Sequence, residues 1–266
     1  MLLREVAYAR PSSLAEALEL LEADPGARAL AGGQTLINVM KARAGSPDAL
    51  IDLAAIDELR GIDLGADGTL EIGAMTTYSE LMASSEARAR PILAEVCAQI
   101  ADVQVRNRGT IGGNVCTNDP TNHLPPLLAA VGAEFVVAGR DGRRVVPAAD
   151  FFLGVYLTAV GPGEVLTSVR VPAGRRDGFA AVTLGVDGTC IVSAAASLNG
   201  RVRVALGCVD AVPVVVEPSS TDSAAVLDAV RGASFEPPSD VHASSDYRRH
   251  LAEVLAARAV SEAEGR

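Results

Sequence analysis

Ala31-Gly32-Gly33-Gln34-Thr35 and Thr110-Ile111-Gly112-Gly113-Asn114 are the two stretches on which the reading of this chain turns. Each sets a glycine pair among small side chains with polar groups just after it. Lacking a Cβ, glycine lets the backbone come close to a ligand and take positive φ, so several N–H groups can converge on phosphate oxygens. Residues 28–31 read as a short apolar strand, and Leu36, Ile37, Val39 and Met40 then suggest a short helix carrying Lys41 and Arg43. Strand, glycine turn and helix in that order aim the positive end of the helix at the same anion. A Gly-x-Gly-x-x-Gly fingerprint is absent, and either glycine pair taken alone is also the composition of an ordinary tight turn.

Outward from these loops, Ser12-Ser13 ahead of Leu14, Ala17, Leu18 and Leu21 predicts a capped amphipathic helix ended by Asp24-Pro25-Gly26. From Ala49 onward, residues 50–53, 61–64 and 69–72 are short apolar or alternating runs, as in strands, so a second lobe is expected to begin there. Thr77 with Glu80 forms a capping-box pattern, and Pro91 opens a helix containing Ile92, Leu93, Val96 and Cys97. Residues 106–122 lack periodicity and are rich in Gly, Thr and Asn, the composition of a working loop. Residues 123–131 look helical. Residues 134–138 and 143–146 flank Gly139-Arg140-Asp141-Gly142 as a hairpin, and 165–171 form a closing strand before Pro172. Residues 191–198 and 202–208 form a second hairpin about Asn199-Gly200, followed by helices at 223–231 and 244–262. The fold class this predicts is α+β in three parts: residues 1–50, 51–173 and 174–266.

Composition narrows the function. The 266 residues are 49% hydrophobic, with 25 Gly and 14 Pro spread along the chain, as in a folded protein with many turns. Thirty-three acidic against 23 basic residues give a formal charge of -10, which disfavours nucleic acid and anionic membrane as partners. No run approaches the ~20 apolar residues that span a bilayer, no long apolar stretch opens the chain, and a cytoplasmic protein is expected. Cys97, Cys116, Cys190 and Cys208 are too widely and unevenly spaced for a zinc or iron–sulfur site and are expected as buried, reduced thiols. His123, His242 and His250 show no metal-binding spacing, and no Ser-His-Asp set or general-base pair is recognisable. Metal chemistry is therefore expected from a partner.

Several motifs in order carry a family resemblance: residues 31–36 followed by Met40-Lys41-Ala42-Arg43, Ile72-Gly73-Ala74-Met75-Thr76-Thr77, Asn107-Arg108-Gly109 running into 110–114, Asp150-Phe151-Phe152 with Thr158, Gly163-Glu164-Val165-Leu166, and Ser245-Asp246-Tyr247-Arg248-Arg249-His250-Leu251. Across nearly its whole length the chain resembles the FAD-binding subunits of molybdenum hydroxylases, above all the medium subunit of aerobic carbon-monoxide-dehydrogenase-type enzymes. It is also similar to the flavin domain of xanthine dehydrogenase.

The resemblance implies FAD in a cleft between a small N-terminal α/β lobe and a larger middle α/β lobe, with a C-terminal domain of antiparallel sheet and helices that helps dock partners. It assigns Ala31, Gly32, Gly33, Gln34, Thr35 and Leu36 to the cofactor from one side, Thr110, Ile111, Gly112, Gly113 and Asn114 from the other, and Leu166 to a position near the flavin. It implies a molybdopterin-binding large subunit and a [2Fe-2S] small subunit as partners, in a dimer of heterotrimers, with electrons passing through FAD to an external acceptor. Two positions depart from the pattern. His123 stands where the family usually has an Asp that helps position FAD; an imidazole there could accept a hydrogen bond from a hydroxyl, or could be a solvated helix-starting residue. Ala181 stands where the family commonly has a Lys beside the flavin. Tyr156 matches a position over the flavin but is also an ordinary packing residue, and Lys41 and Arg43 could face a partner. The alternatives are a free-standing FAD-dependent oxidoreductase and a non-catalytic flavin-binding assembly protein.

Overall fold

The structure is a computed structural model and describes residues 3–185 and 188–266. At the N-terminal end, β1 (Ala7–Ala9), α1 (Leu14–Ala23), β2 (Arg28–Leu30), α2 (Leu36–Lys41) and β3 (Ala49–Asp52) build a three-stranded parallel sheet in the order β1-β3-β2. Ser13 caps α1, its hydroxyl accepting from Glu16 N at 3.3 Å. Spacing of three and four then puts Leu14, Ala17 and Leu21 on one buried stripe against Ile51 and Leu53. Strand β3 crosses the boundary expected at residue 50: it is the central strand, paired on both sides, and its register with β2 continues to Asp52. Its apolar run belongs to a strand covered on both faces.

The chain continues through β4 (Ile62–Leu64), β5 (Leu70–Gly73), α3 (Tyr78–Ala83), α4 (Ile92–Ala98), α5 (Val103–Arg106), α6 (Ile111–Thr117), α7 (Leu124–Val131), β6 (Glu134–Gly139), β7 (Gly142–Pro147), α8 (Ala148–Phe151), β8 (Phe152–Gly154), β9 (Leu157–Thr158) and β10 (Val165–Val171). The long strands form an antiparallel sheet in the order β4-β5-β10-β6-β7. Its core gathers Ile72, Leu93, Ile111, Leu127 and Val169, with Phe135 stacked on Phe151 at 3.8 Å and Phe152 edge-on. Thr77 and Glu80 make the full capping box of α3. Residues 106–122, expected as a loop, contain helix α6, and its first turn holds the second glycine pair. Two glycines at about 1 kcal/mol each hide a helix from propensity; buried Ile111 and Val115, four apart, recover it by packing.

The last part is an antiparallel sheet β11 (Asp177–Thr183), β12 (Cys190–Ser197), β13 (Arg203–Gly207), β14 (Val214–Val216), followed by α9 (Ser223–Gly232) and α10 (Ser245–Glu264). One face packs on α10 through Ala194, Ala196, Leu251 and Leu255, and the other joins the middle core through Phe179, Ala195 and Ala205. Among the described residues no helix is long and apolar enough to cross a membrane.

Candidate functional site

Several of the motif segments converge. Residues 74–78 run between β10 and the start of α6: Ala74 N donates to Thr167 O (2.9 Å), Gly112 N to Ala74 O (2.9 Å), Ile111 N to Thr76 O (3.0 Å) and Tyr78 N to Gly109 O (3.2 Å). Only glycine fits at 112, since a Cβ there would lie 2.6 Å from Ala74 O. The two glycine loops also touch. A Cβ on Gly32 would lie 2.0 Å from Arg108 O, so the first loop is pressed directly on the backbone that leads into the second.

Hydrogen-bond accounting separates the two loops. In the second, the four amides after Thr110 are already used: besides Ile111 and Gly112, Gly113 N donates to the Thr110 hydroxyl (3.0 Å) and Asn114 N to Thr110 O (3.0 Å). The reading in which Gly112 and Gly113 offer N–H groups to a ligand therefore changes, because a helix cap and the 74–76 segment absorb them. In the first loop, among the described residues, Gly32, Gly33, Gln34, Thr35 and Leu36 have no protein acceptor for their N–H groups. Gly33 takes φ +73, the left-handed turn that lets successive amides face one concavity. Thr35 is exposed and Gly32 to Gln34 are half-buried.

Asn114 faces inward from α6. Its Nδ2 donates to the Tyr78 hydroxyl (3.0 Å), while Oδ1 is enclosed without a partner. Burial pushes the Tyr78 hydroxyl well above its ordinary value, so it stays protonated. Sequence reasoning missed Tyr78, although the capping box one residue earlier marked its helix. It also missed Asn118, which closes α6 at φ +43 and donates to Gly154 O (2.7 Å), holding the β8–β9 hairpin in place.

The remaining candidates scatter. Leu166 is buried in the middle core beside the Thr167 link. His123 is buried at the start of α7 and turned to the C-terminal sheet, its ring 5.2 Å from that of Phe179 and its Nδ1 without a partner. Ala181 is half-buried on β11 and lines a cavity of about 320 Å³ with Phe179, Glu95, Arg258 and Glu262. Arg106 is spent on the carbonyls of Ile100 and Ala101, whereas Arg108 is exposed at the junction of the loops. Tyr156, at φ +56, is exposed and donates to Asp119 Oδ2 (3.0 Å). Lys41 and Arg43 are exposed. The described residues contain no group of three or more His, Cys, Asp or Glu able to hold a metal ion.

Residues 4–174, which carry all of these loops, match the family described as "FAD binding domain in molybdopterin dehydrogenase". The chain belongs to this family. It is 37% identical to the carbon monoxide dehydrogenase medium chain of Afipia carboxidovorans, over 97% of this chain and 96% of that one. It is 33% identical to the glyceraldehyde dehydrogenase medium chain of Sulfolobus acidocaldarius, over 97% and 98%. Among solved structures, reconstituted CO dehydrogenase from Oligotropha carboxidovorans superposes with a TM-score of 0.93 at 34% identity, covering 100% of both chains. Quinoline 2-oxidoreductase from Pseudomonas putida gives 0.91 at 33%, covering 100% of this chain and 99% of that one. The α+β fold expected from the sequence is the fold of these relatives. As a member of the family the chain is an FAD-binding medium subunit of the molybdenum hydroxylase type, and an oxidoreductase subunit.

Proposed function

We propose that the first loop holds the diphosphate of FAD on the unshared N–H groups of Gly32, Gly33, Gln34 and Thr35, and that this chain is the electron-transfer subunit of its complex. The observation that carries the reading is this row of amides lacking protein acceptors beside Gly33 at positive φ, an arrangement that favours an anion. The second loop acts as a wall and a spacer. Its consumed amides hold Thr110, Ile111, Gly112 and Gly113 rigid against Gly32, and the enclosed Asn114 Oδ1 is an acceptor suited to a ribose or ribityl hydroxyl. In this reading Ala31 and Leu36 supply apolar surface at the first loop, and Leu166, in the middle core, occupies the position near the flavin.

Bound FAD supplies redox chemistry that can join one-electron carriers to two-electron acceptors. In this reading a molybdopterin-binding large subunit oxidises the organic substrate, a [2Fe-2S] small subunit relays electrons, and this chain delivers them to an external acceptor. The assembly is a dimer of heterotrimers in the cytoplasm. The names of the relatives, medium chains of larger enzymes, support the multi-subunit part. The three larger sheets support division near 1–50, 51–173 and 174–266, with β3 completing the first unit.

An absorbance spectrum of the purified chain, repeated for Gly113→Asp, tests the site. Gly113 faces Ala31 across the loops, so the carboxylate falls where the diphosphate lies. Flavin bands in the parent and their loss in a variant with unchanged circular dichroism are expected; a parent that takes up no FAD on reconstitution overturns the reading. Ala181, with no Lys on β11 at that position, favours a free-standing flavoprotein as the second reading. Co-purification with two further subunits that contain iron and molybdenum decides against it.

A further inference from the structure

Where the middle lobe meets the C-terminal sheet, a cavity of about 370 Å³ opens between the end of α7, the chain just after β10 and the turn that joins β12 to β13. Its size lies at the small end of the range for ligand pockets, about 300–1,000 Å³. Ala130, Val131, Pro172 and Ala173 give it an apolar wall, and Ser197 and Asn199 bring polar atoms. The charged side chains that line it are all arginines: Arg90, Arg201 and Arg203. That runs against the formal charge of -10 carried by the whole chain.

The β12–β13 turn gathers these cations. Gly200, at φ +95, reverses the chain, and Arg201 and Arg203 then share one carboxylate: Arg201 Nη1 bonds Glu217 Oε2 at 2.9 Å and Arg203 Nε bonds Oε1 at 3.5 Å. On the other side of the turn, Asn199 Oδ1 accepts from the backbone N–H groups of Arg175 (3.1 Å) and Arg176 (3.4 Å), which fastens two more arginines beside the cavity. Their side chains are exposed and make no ion pair among the described residues. Arg90 is neutralised by its two-point contact with Asp177, and Glu217 answers for only one of its two arginines. Arg175, Arg176 and the Arg201, Arg203 and Glu217 group thus each leave one positive charge. Two features act against this surplus: the C-terminal end of α7, whose Gly132 abuts Arg203 Nη1, and Asp67, on the turn that touches Ala173. The helix end carries about half a negative charge, so a surplus of about one to two positive charges remains. Asp67 is moreover engaged by Thr69 N (2.9 Å) and the Thr69 hydroxyl (3.0 Å).

We propose that this cavity binds a small phosphate monoester, with its phosphate on the arginines and its organic part on the apolar wall. A guanidinium is always charged and presents a planar fork of donors that matches phosphate oxygens two at a time. Arg201 and Arg203 each spend one nitrogen on Glu217, which leaves further N–H groups on both for a ligand. Ser197 adds a directed donor. Its buried hydroxyl oxygen accepts from Arg90 Nη2 (3.3 Å) and Asn199 Nδ2 (3.0 Å), so its own hydrogen is left to point into the cavity it lines. A ligand held there touches the middle lobe through Ala130 and Val131 and the C-terminal sheet through Arg201 and Arg203, so its binding stabilises their packing. The cavity shares no residue with the Gly32–Thr35 loop, and the proposal does not rest on FAD.

Isothermal titration calorimetry on the purified full chain in the presence of excess FAD tests this, with phenyl phosphate as the probe and inorganic phosphate and succinate as comparisons. One phenyl phosphate per chain is expected, bound more tightly than inorganic phosphate because of the apolar wall and more tightly than succinate because of the guanidinium fork. Binding should weaken about tenfold in Arg201→Gln and in Arg203→Gln, each of which removes a charged hydrogen-bond donor. Gly113→Asp, which alters the proposed FAD site, should leave it unchanged, so failure here and failure of the flavin reading are told apart. Circular dichroism checks the fold of each variant, and Arg201 is exposed enough for its replacement to be tolerated. The absence of saturable heat at millimolar phenyl phosphate, equal binding of inorganic phosphate or succinate, unchanged affinity in the arginine variants, or loss of binding in Gly113→Asp overturns the proposal.

Discussion

Arg90 and Asp177 are each about 1% exposed, and each is satisfied: Nε and Nη2 of the guanidinium bond the two carboxylate oxygens at 2.9 and 2.8 Å, further N–H groups reach Pro172 O and Ser197 Oγ, and Asn199 Nδ2 donates to Asp177 at 2.9 Å. The cluster joins the start of α4 to β11 and β12, so it fastens the middle lobe to the C-terminal sheet. As a whole, a buried pair adds little net stability, but removing one partner leaves a buried charge and costs about 3–5 kcal/mol. Arg90→Leu is expected to lower the unfolding free energy by that amount in urea denaturation; a loss below about 1 kcal/mol would show that the clamp does not hold. Asn114→Ala acts on a smaller scale. It strands the buried Tyr78 hydroxyl, which should cost about 1–3 kcal/mol, and it removes the acceptor proposed for FAD. Equilibrium dialysis with FAD on the folded variant separates the two effects: weaker binding is expected, and unchanged affinity would discard the Asn114 contact.

At the level of elements, α6 depends on its cap. Thr110 Oγ1 accepts from Gly113 N, and Thr110 O accepts from Asn114 N, at the end that is pinned to 74–76. Thr110→Ala should cost about 1 kcal/mol, while Thr110→Ser, which keeps the oxygen, should cost much less. Thermal unfolding of both variants checks this. Flavin content should fall with Thr110→Ala, because α6 backs the first loop through Arg108, Gly109 and Gly32. Thr77→Ala, at the capping box of α3, should cost about the same in stability. Equal losses in Thr110→Ala and Thr110→Ser would show that the hydroxyl is not what orders the helix.

Across the whole molecule, carboxylates cross-link neighbouring strands and helices. Glu71 on β5 accepts from Ser168 and then Arg170 on β10, and these hold its carboxyl below the ordinary value of 4.5. Arg144 and Gly161 N do the same for Glu164, and Arg231 on α9 for Glu253 on α10. A carboxyl whose folded value is lowered contributes stability that is fully present above its unfolded value and is lost as pH falls through the folded one. Stability is thus expected to hold down to about pH 5 and to decline below about 4.5. Urea midpoints across pH 3–7 for the parent and for Glu71→Gln check this, with a shallower acid decline expected in the variant. These groups are partly exposed, so added salt should shrink the difference.

Local chemistry determined much of this protein in advance. The Ser13 and Thr77 caps, the hairpins at Gly139–Gly142 and Asn199-Gly200, the buried stripe of α1 and the apolar strands rest on turn conformation and hydrophobic period, which neighbouring residues supply. The motif order was enough to indicate the family. Tertiary structure decided what each glycine loop could offer. Both loops look alike as peptides, but Thr76 O and Ala74 O, distant in sequence, take the Ile111 and Gly112 amides of the second, whereas those of Gly32 to Thr35 in the first have no acceptor among the described residues. The same holds for His123 against Phe179 and for Arg90 with Asp177: their surroundings depend on burial and on partners that only the packing of the middle lobe against the last sheet brings within reach.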